Sequence, residues 1–245
     1  MLALATNSLE NYGLNRVFEF AKKAGFEAID LEITKVLDTQ DASYLNSLIS
    51  QYQLPIVAVQ APSSPTKKNT LETIALAEEI KAEMVILFPP RLLDYQYTQW
   101  LKKNLTELRR KHRVRILMIN SPANNILGFI PSRSMNTIVD LKHFREICLD
   151  TSNLVSKKLS LIHTYELLEK QILHIQLSNV SRGRFHFFPQ EGTLPLESFL
   201  TKLKQNKYRH HISLKVKTKY LTFSDSERVL ELLKQARGFM EKYFR

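Results

Sequence analysis

Apolar and polar side chains alternate in several short segments of the chain. Residues 211–217 show the pattern clearly, since every second side chain is apolar and Lys215 lies on the opposite face. A period of two is typical of a β-strand. Because a strand inside a parallel sheet is covered on both faces, the Lys215 ammonium is expected to need an anionic partner or a ligand.

Strand-like segments alternate with helix-like segments at intervals of roughly 30 residues, the length of a βα unit. The predicted strands are Leu2–Thr6, Ala28–Ile33, Ile56–Ala61, Met84–Phe88, Arg115–Asn120, Ile147–Thr151, Ile172–Asn179 and Ile212–Lys217. Eight parallel strands in a chain of 245 residues predict an α/β protein whose residues 1–245 form one (β/α)8 TIM barrel domain. A doubly wound open sheet is the alternative.

Helix start and stop signals support these units. The segment Leu14–Ala24 ends at Gly25, a typical residue after a helix C-terminus. Asp94 is predicted to cap a helix that reaches Lys111, and Ser224–Glu227 reads as a capping box that opens the last helix.

Strand parity places a set of polar residues inside the barrel, mostly near the carboxyl ends of the strands. This inward set is Asp30, Glu32, Gln60, Asp150, Gln176 and Lys215. The residues predicted to face the helices are Val57, Val59, Leu149, Ile175, Leu177, Leu214 and Val216. Since the loops after barrel strands usually build the site, the inward set predicts a ligand pocket at that end. A buried structural hydrogen-bond network is the alternative.

Several strand ends resemble those of one family, the xylose isomerase-like TIM barrels, which include sugar phosphate isomerases and epimerases, dehydratases and apurinic endonucleases. The similar segments are Ala24–Asp30, Val57–Pro62, Met118–Pro122, Cys148–Asn153, His174–Asn179, His186–Gly192 and Ile212–Val216. The resemblance extends over most of the chain. It implies the same fold and a sugar-type ligand.

The resemblance also implies where active relatives hold a divalent metal, usually with a Glu, an Asp, a His and a second Glu. In this chain the four positions read Ile119, Asp150, Gln176 and Lys215. Two further positions carry Asn153 and Asn179 where many relatives have a His and an Asp. Because one carboxylate beside an ammonium is a poor set of ligands for a hard divalent ion, no metal and no other cofactor is expected.

These departures suggest that the Lys215 ammonium replaces the charge of the metal. It would pair with Asp150, with Gln176 and Asn179 completing the hydrogen bonds. The competing interpretation is that Lys215 extends along the rim to water. A third role, Lys215 as a catalytic base, is less favoured because a neighbouring Asp150 would raise its pKa.

The charge of +11 at pH 7 falls mostly in the second half of the chain. Arg182 and Arg184 follow the seventh strand and Lys217 follows the eighth, where barrels often bind phosphate. The candidate catalytic residues are therefore Asp150 and Lys215. The candidate ligand-binding residues are Asp30, Glu32, Gln60, Asn120, Asn153, Gln176, Asn179, Arg182, Arg184, His186 and Lys217.

Three functions stay open at this point. The first is a metal-free protein that binds a small sugar, polyol or sugar phosphate. The second is an active isomerase or epimerase that uses Asp30 or Glu32 with Lys215. The third, a nucleic-acid binder related to the endonucleases, is less favoured because its metal ligands are missing.

Other features bear on the setting in which the protein works. No apolar run is long enough for a membrane span, and residues 1–5 do not resemble a secretory signal. The single cysteine, Cys148, excludes an internal disulfide and suits a reducing cytoplasm. A cytoplasmic protein with a small-molecule ligand and no membrane partner is expected. The sequence does not indicate an oligomeric state.

Overall fold

A computed structural model describes residues 1–126, 130–217 and 225–245. The strands are β1 (Leu2–Ala5), β2 (Ala28–Glu32), β3 (Ile56–Gln60), β4 (Met84–Leu87), β5 (Arg115–Ile119), β6 (Asn125–Ile126), β7 (Ile130–Pro131), β8 (Ile147–Asp150), β9 (Ile172–Leu177), β10 (Asn179–Ser181), β11 (Arg184–Phe187) and β12 (His211–Leu214). The α-helices are α1 (Leu14–Ala24), α2 (Ala42–Tyr52), α3 (Lys67–Glu79), α4 (Tyr95–Lys111), α5 (Ile138–Phe144), α6 (Thr151–Ser156), α7 (Leu161–Leu168), α8 (Leu196–Gln205) and α9 (Ser226–Phe244).

Eight of the strands form a closed parallel barrel. Their order around it is β1, β12, β9, β8, β5, β4, β3 and β2. Pairing of Leu2 with Ile212 and of Ala3 with Ala28 joins β1 to both of its neighbours and closes the ring. The predicted (β/α)8 barrel is therefore confirmed, and each barrel strand lies within the segment predicted for it or one residue outside.

Two antiparallel hairpins extend the loops that follow barrel strands. β6 pairs with β7 after β5, and β10 pairs with β11 after β9. The prediction of one strand over Ile172–Asn179 needs a correction, because the barrel strand ends at Leu177 and Asn179 begins β10. The second hairpin places His186 above the carboxyl ends of the barrel strands.

The helices begin and end largely as their sequences predict. Gly25 closes α1 with a φ of +85°, a left-handed conformation that glycine adopts without a Cβ clash. The side chains of Asp94 and Asp225 accept backbone N–H groups at the starts of α4 and α9. Ser224, the predicted first residue of a capping box, lies outside the described residues.

The outward strand residues pack against the helices in one large apolar core that includes Val59, Leu149 and Leu214. Val57, which parity placed in this layer, is an exception. It packs with Ala3 and Ala28 in a separate small cluster. The pairing of β2 with β3 shifts register between Ile29 and Asp30, so simple alternation fails next to this irregularity.

The barrel interior has an apolar part as well as a polar one. Its apolar cluster consists of Ala58, Met84, Ile86, Leu117, Ile119, Cys148 and Leu173. Most of these residues come from β3, β4 and β5. Within the described ranges, no helix has both the length and the apolar character that a bilayer crossing requires.

Candidate functional site

A buried hydrogen-bond network fills the polar side of the barrel around Asp30 on β2. One oxygen of its carboxylate, Oδ2, accepts from Ser213 Oγ at 2.8 Å and from Gln176 Nε2 at 3.0 Å, and His174 Nε2 lies 3.1 Å away. Burial by itself raises the pKa of Asp30, but the contacts with His174, Ser213 and Gln176 more than offset this and lower it. Asp30 is thus held as a carboxylate.

Lys215 lies above this network, immediately after β12, and its side chain is buried. Its Nζ donates to Gln176 Oε1 at 2.6 Å and to Gln60 Oε1 at 3.5 Å, and it lies 3.5 Å from Asp150 Oδ2. Burial acts to lower the pKa of Lys215, but the nearby carboxylates, above all Asp150, outweigh it and raise the pKa. The side chain does not extend along the rim to water, and its ammonium stays charged.

Asp150 is fixed at the end of β8 by neighbouring polar groups. Its Oδ1 accepts from Asn153 N and from Ser152 Oγ, both at 3.1 Å, which caps α6. Asn120 exchanges two hydrogen bonds with the Asp150 backbone, and Asn153 Nδ2 donates to the Asn120 carbonyl. The other carboxylate oxygen, Oδ2, accepts no hydrogen bond from the described residues and faces Lys215 and His186.

His186 reaches the site from β11. Its Nδ1 lies 3.0 Å from Ser152 Oγ, 3.3 Å from Ser178 Oγ and 3.8 Å from Asp150 Oδ2. Burial lowers the pKa of His186, and Lys215 lowers it further, whereas Asp150 acts in the opposite direction. The backbone carbonyl of His186 accepts from Lys217 N at 2.8 Å, which joins this hairpin to the chain after β12.

A pocket of about 310 Å³ opens at the carboxyl end of the barrel, and we refer to it as the mouth pocket. Its lining is Asn7, Glu10, Glu32, His186, Lys215, Val216 and Lys217. Burial raises the pKa of Glu32, while the charge of Lys215 and a hydrogen bond with Asn7 act to lower it. The wall of the pocket therefore carries the carboxyls of Glu10 and Glu32, an imidazole and a buried ammonium.

The residues at the four metal-ligand positions of the family do not fit a divalent cation. Ile119 offers no donor atom, and Lys215 brings an ammonium to the oxygens of Asp150 and Gln176 that a cation would need. Across the described residues, no group of three or more His, Cys, Asp or Glu side chains is arranged to hold a metal.

The three candidate asparagines bind backbone atoms and lie outside the lining of the mouth pocket. Asn120 and Asn153 point at backbone atoms around Asp150 and do not line the mouth pocket. Asn179 does not contact Lys215 as the sequence had suggested, because its side chain binds Pro189 O, Val180 N and Leu194 N. A Cβ on Gly192 would lie only 2.5 Å from the Asn179 side chain, so this junction is tightly packed.

The three cations expected to bind phosphate separate into two groups. Arg182, on the turn of the β10–β11 hairpin, and Arg184, the first residue of β11, are exposed and do not line the mouth pocket. Lys217 is also exposed but does line it. The hairpin explains the separation, since it carries its turn away from the pocket while His186 faces inward.

The structure adds residues that the sequence did not single out as part of the site. His174 and Ser213 lie in the Asp30 network, and Ser152 contacts both Asp150 and His186. His174 and Ser213 are each two positions before a predicted inward residue, so strand parity could have identified them. Ser152 lies in the first turn of a helix, where parity gives no signal.

The chain belongs to the xylose isomerase-like TIM barrel family, whose profile matches residues 18–243. The family therefore accounts for nearly the whole barrel, and the resemblance stated from the strand ends is confirmed.

Mycobacterial proteins are among the relatives. The uncharacterized protein ML2432 of Mycobacterium leprae (strain TN) is 24% identical over 129 residues, which cover 49% of this chain and 46% of that protein. The uncharacterized protein Mb0509 of Mycobacterium bovis (strain ATCC BAA-935 / AF2122/97) is 20% identical over 253 residues, covering 89% of each. The first alignment thus spans about half of its relative.

Solved structures agree on the fold. A D-tagatose 3-epimerase-like protein superposes with a TM-score of 0.73 at 18% identity, covering 99% of this chain and 97% of the other. An AP endonuclease of family 2 from Brucella melitensis gives a TM-score of 0.71 at 14% identity, covering 89% of this chain and 95% of the other. At such identities the likeness shows the fold alone.

Proposed function

We propose that this protein binds a small sugar or polyol ligand in the mouth pocket without a catalytic divalent metal. The observation that carries the proposal is the position of Lys215, whose ammonium contacts Gln176 and Asp150 at two of the family's metal-ligand positions. A fixed positive charge is thereby available to ligand oxygens at the mouth of the barrel.

Electrostatics favours this role for Lys215. The Asp150 carboxylate keeps the ammonium charged, and the amide oxygens of Gln60 and Gln176 orient it. A hydroxyl or carbonyl oxygen in the pocket would accept from the ammonium, and hydrogen bonds to charged groups contribute about 1.5–3 kcal/mol. The half-buried Glu32 and His186 lie on the same wall and can bind further hydroxyl groups.

Ligand titration of the purified protein with and without a chelator tests the proposal. A panel of ketoses, aldoses and polyols is monitored by NMR chemical shifts, and metal content is measured by elemental analysis. We expect binding that is unchanged by the chelator and at least tenfold weaker in Lys215→Met, about 1.4 kcal/mol. A stoichiometric metal, or binding that disappears with the chelator, would contradict the proposal.

A variant that rebuilds the metal site provides a positive control. Ile119→Glu, Gln176→His and Lys215→Glu together restore the donor types that active relatives use at these positions. If the barrel still aims these side chains at one point, Mn²⁺ should raise the melting temperature of the triple variant and leave the wild type unchanged.

A second candidate function is proton transfer on a bound sugar, as in an isomerase or epimerase. Burial raises the pKa of Glu32 and lowers the pKa of His186. It therefore favours the uncharged form of both pocket groups. Glu32 could remove a proton beside a carbonyl while the Lys215 ammonium stabilises the oxyanion that forms.

Solvent exchange distinguishes this second candidate from simple binding. In D₂O, an active enzyme should incorporate deuterium next to the carbonyl of a ketose, and Glu32→Gln should abolish the incorporation without abolishing binding. If sugars of the panel bind but none incorporates deuterium, the enzymatic function is excluded and the binding function is retained.

A further inference from the structure

Two arginines converge on one turn after β3. Arg91 donates from Nη2 to Ser64 Oγ, and Arg133 donates from Nη2 to the Ser63 carbonyl at 2.8 Å. Arg133 also donates from Nη1 to the Pro89 carbonyl at 2.6 Å, and residues 91 and 133 pair in an isolated antiparallel bridge. Loops after β3, β4 and β5 thus place two guanidinium groups side by side.

Among the described residues, no carboxylate lies within ion-pair distance of either guanidinium. The described contacts of the two side chains are with Ser64, Pro89 and Ser63 and include no salt bridge, and the stretches 127–129 and 218–224 contain no Asp or Glu. Arg133 is half-buried above the ring of Phe88, 5.3 Å from its centroid. Burial and the neighbouring charge of Arg91 both lower the pKa of Arg133, so an anion here would relieve an unfavourable environment.

The pair also faces open space. Arg91 and Arg133 line a pocket of about 800 Å³, and a guanidinium has five N–H donors, of which the described contacts use one in Arg91 and two in Arg133. Asp94 lines this pocket as well and caps α4 through its Oδ1, which accepts Tyr97 N; its carboxylate makes no ion pair with either arginine among the described residues. Donors in a fixed fork therefore remain for a ligand.

The turn bound by the arginines is linked to the mouth pocket. Ser63 and Ser64 line another pocket, of about 770 Å³, which extends to Glu32. Glu32 in turn lines the mouth pocket together with Lys215. The arginines line neither of these two pockets, and they meet the second one only through their hydrogen bonds to Ser63 and Ser64. A ligand that reached from Lys215 to the arginines would pass along Glu32 and this turn.

We propose that Arg91 and Arg133 form an anion-binding site for the phosphate or carboxylate group of the ligand in the mouth pocket. This inference rests on the proposed function and specifies the ligand as an anionic sugar. It assigns the anion to the loops after β3, β4 and β5. The exposed Arg182 and Arg184 on the β10–β11 hairpin are not needed for it.

Titration with inorganic phosphate at constant ionic strength tests the site directly. Arg91→Gln removes one guanidinium that is exposed and has a single described contact, so the variant should fold normally. Arg182→Gln is the matched control, because it removes the same charge from the exposed hairpin. We expect phosphate affinity to fall at least tenfold in Arg91→Gln and to stay unchanged in Arg182→Gln. Equal affinities in all three proteins, or equal losses in both variants, would overturn the inference.

Arg133 contributes through its planar fork as well as its charge. Arg133→Lys retains the charge and removes the paired donors, so phosphate affinity should again fall at least tenfold if the fork binds the anion. An unchanged affinity in this variant would show that positive charge alone accounts for phosphate binding. It would contradict a site in which the paired donors of Arg133 bind the anion. Acetate titrated in parallel separates the two anion classes, since a site for sugar acids binds acetate and a phosphate site prefers phosphate.

Fructose and fructose 6-phosphate separate this inference from the proposed function. We expect the phosphate ester to bind at least tenfold more tightly than fructose, and Arg91→Gln to remove that advantage while leaving fructose affinity unchanged. If both sugars bind equally and Lys215→Met weakens both, the arginine site fails and the mouth pocket stands. If phosphate and fructose 6-phosphate both bind through Arg91, but fructose does not bind and Lys215→Met changes neither affinity, the mouth pocket fails and the arginine site stands as an anion site.

Discussion

On one side of the barrel interior, Ile86 and Ile119 pack with Cys148 in an apolar cluster, whereas on the other side Asp30 and Gln176 lie in a hydrogen-bonded network. Both sides are equally buried, so exposure does not explain the difference. The family's first metal-ligand position falls on the apolar side and its last falls on the polar side, at Lys215. Of these two positions, the one on the apolar side carries the uncharged Ile119 and the one on the polar side carries the charged Lys215.

The two sides are also stabilised differently. The apolar cluster depends on close packing, for which the cost of a change follows the volume removed. The polar side depends on complete hydrogen bonding and ion pairing, because an unpaired buried charge or an unsatisfied buried donor destabilises the folded state. Truncating one side chain on each side therefore tests whether the two sides are stabilised in these different ways.

The largest effect is expected from Lys215→Met. Loss of the ammonium leaves the buried Asp150 carboxylate without its ion pair, and breaking such a pair costs about 3–5 kcal/mol. Urea unfolding measures the change. The double variant Lys215→Met with Asp150→Asn should recover a substantial part of it, and a double variant as unstable as the single one would argue against the ion pair.

Ile119→Ala comes next, on the apolar side. Ile119 is fully buried, and an Ile→Ala change in a packed core costs about 2–5 kcal/mol. Val139→Ala, at a position that is 63% exposed, is the control and should stay within about 0.5 kcal/mol. Ligand affinity should be unchanged in Ile119→Ala; a loss there would place the apolar side in the site.

Ser213→Ala should have a moderate effect. Its hydroxyl donates to Asp30 Oδ2 at 2.8 Å, and a carboxylate that loses a buried donor costs about 1–3 kcal/mol. Ser47→Ala removes an exposed hydroxyl bonded to the Tyr44 carbonyl and should change the unfolding free energy by less than about 0.5 kcal/mol. Equal effects of both variants would show that the Asp30 network is no more stabilising than the surface.

The smallest effect is a pH dependence that arises from His186. Its folded-state pKa is lowered from 6.5, first by burial and then by Lys215 and Lys217, with Asp150 opposing. Because the unfolded chain binds the proton more readily, stability contributed by neutral His186 is present above pH 6.5 and is lost as the pH falls below it.

Urea unfolding at several pH values between about 5 and 7.5 measures this loss. His186→Asn should flatten the decline below pH 6.5, and Asn also tolerates the positive φ of +59° at this position. His163→Asn, at an exposed site, is the control. A decline equally steep in His186→Asn and in the wild type would exclude His186 as its source.

The barrel was predictable because alternation is informative wherever a strand has distinct faces. Parity in 211–217 and around Gln176 predicted that Lys215 and Gln176 face inward, and the two side chains are hydrogen-bonded. Parity failed at Val57, where the pairing of β2 and β3 shifts register. A register shift depends on contacts between strands, which one sequence does not show.

Residues in loops were less predictable for a related reason. Asn120 and Asn153 have the polarity of ligand-binding residues, but their hydrogen bonds go to the backbone around Asp150. Arg91 and Arg133 are more than 40 residues apart in the sequence. They lie side by side because the two loops that carry them pair. Such a pairing has no local sequence signal.

The bond from the Lys217 amide to the His186 carbonyl ties the β10–β11 hairpin to the end of β12. If the hairpin swings outward to admit a ligand, this amide loses its acceptor and meets solvent. The rate of hydrogen–deuterium exchange at the Lys217 amide therefore reports how often the β10–β11 hairpin swings outward. A bound sugar that holds His186 in place should slow that exchange.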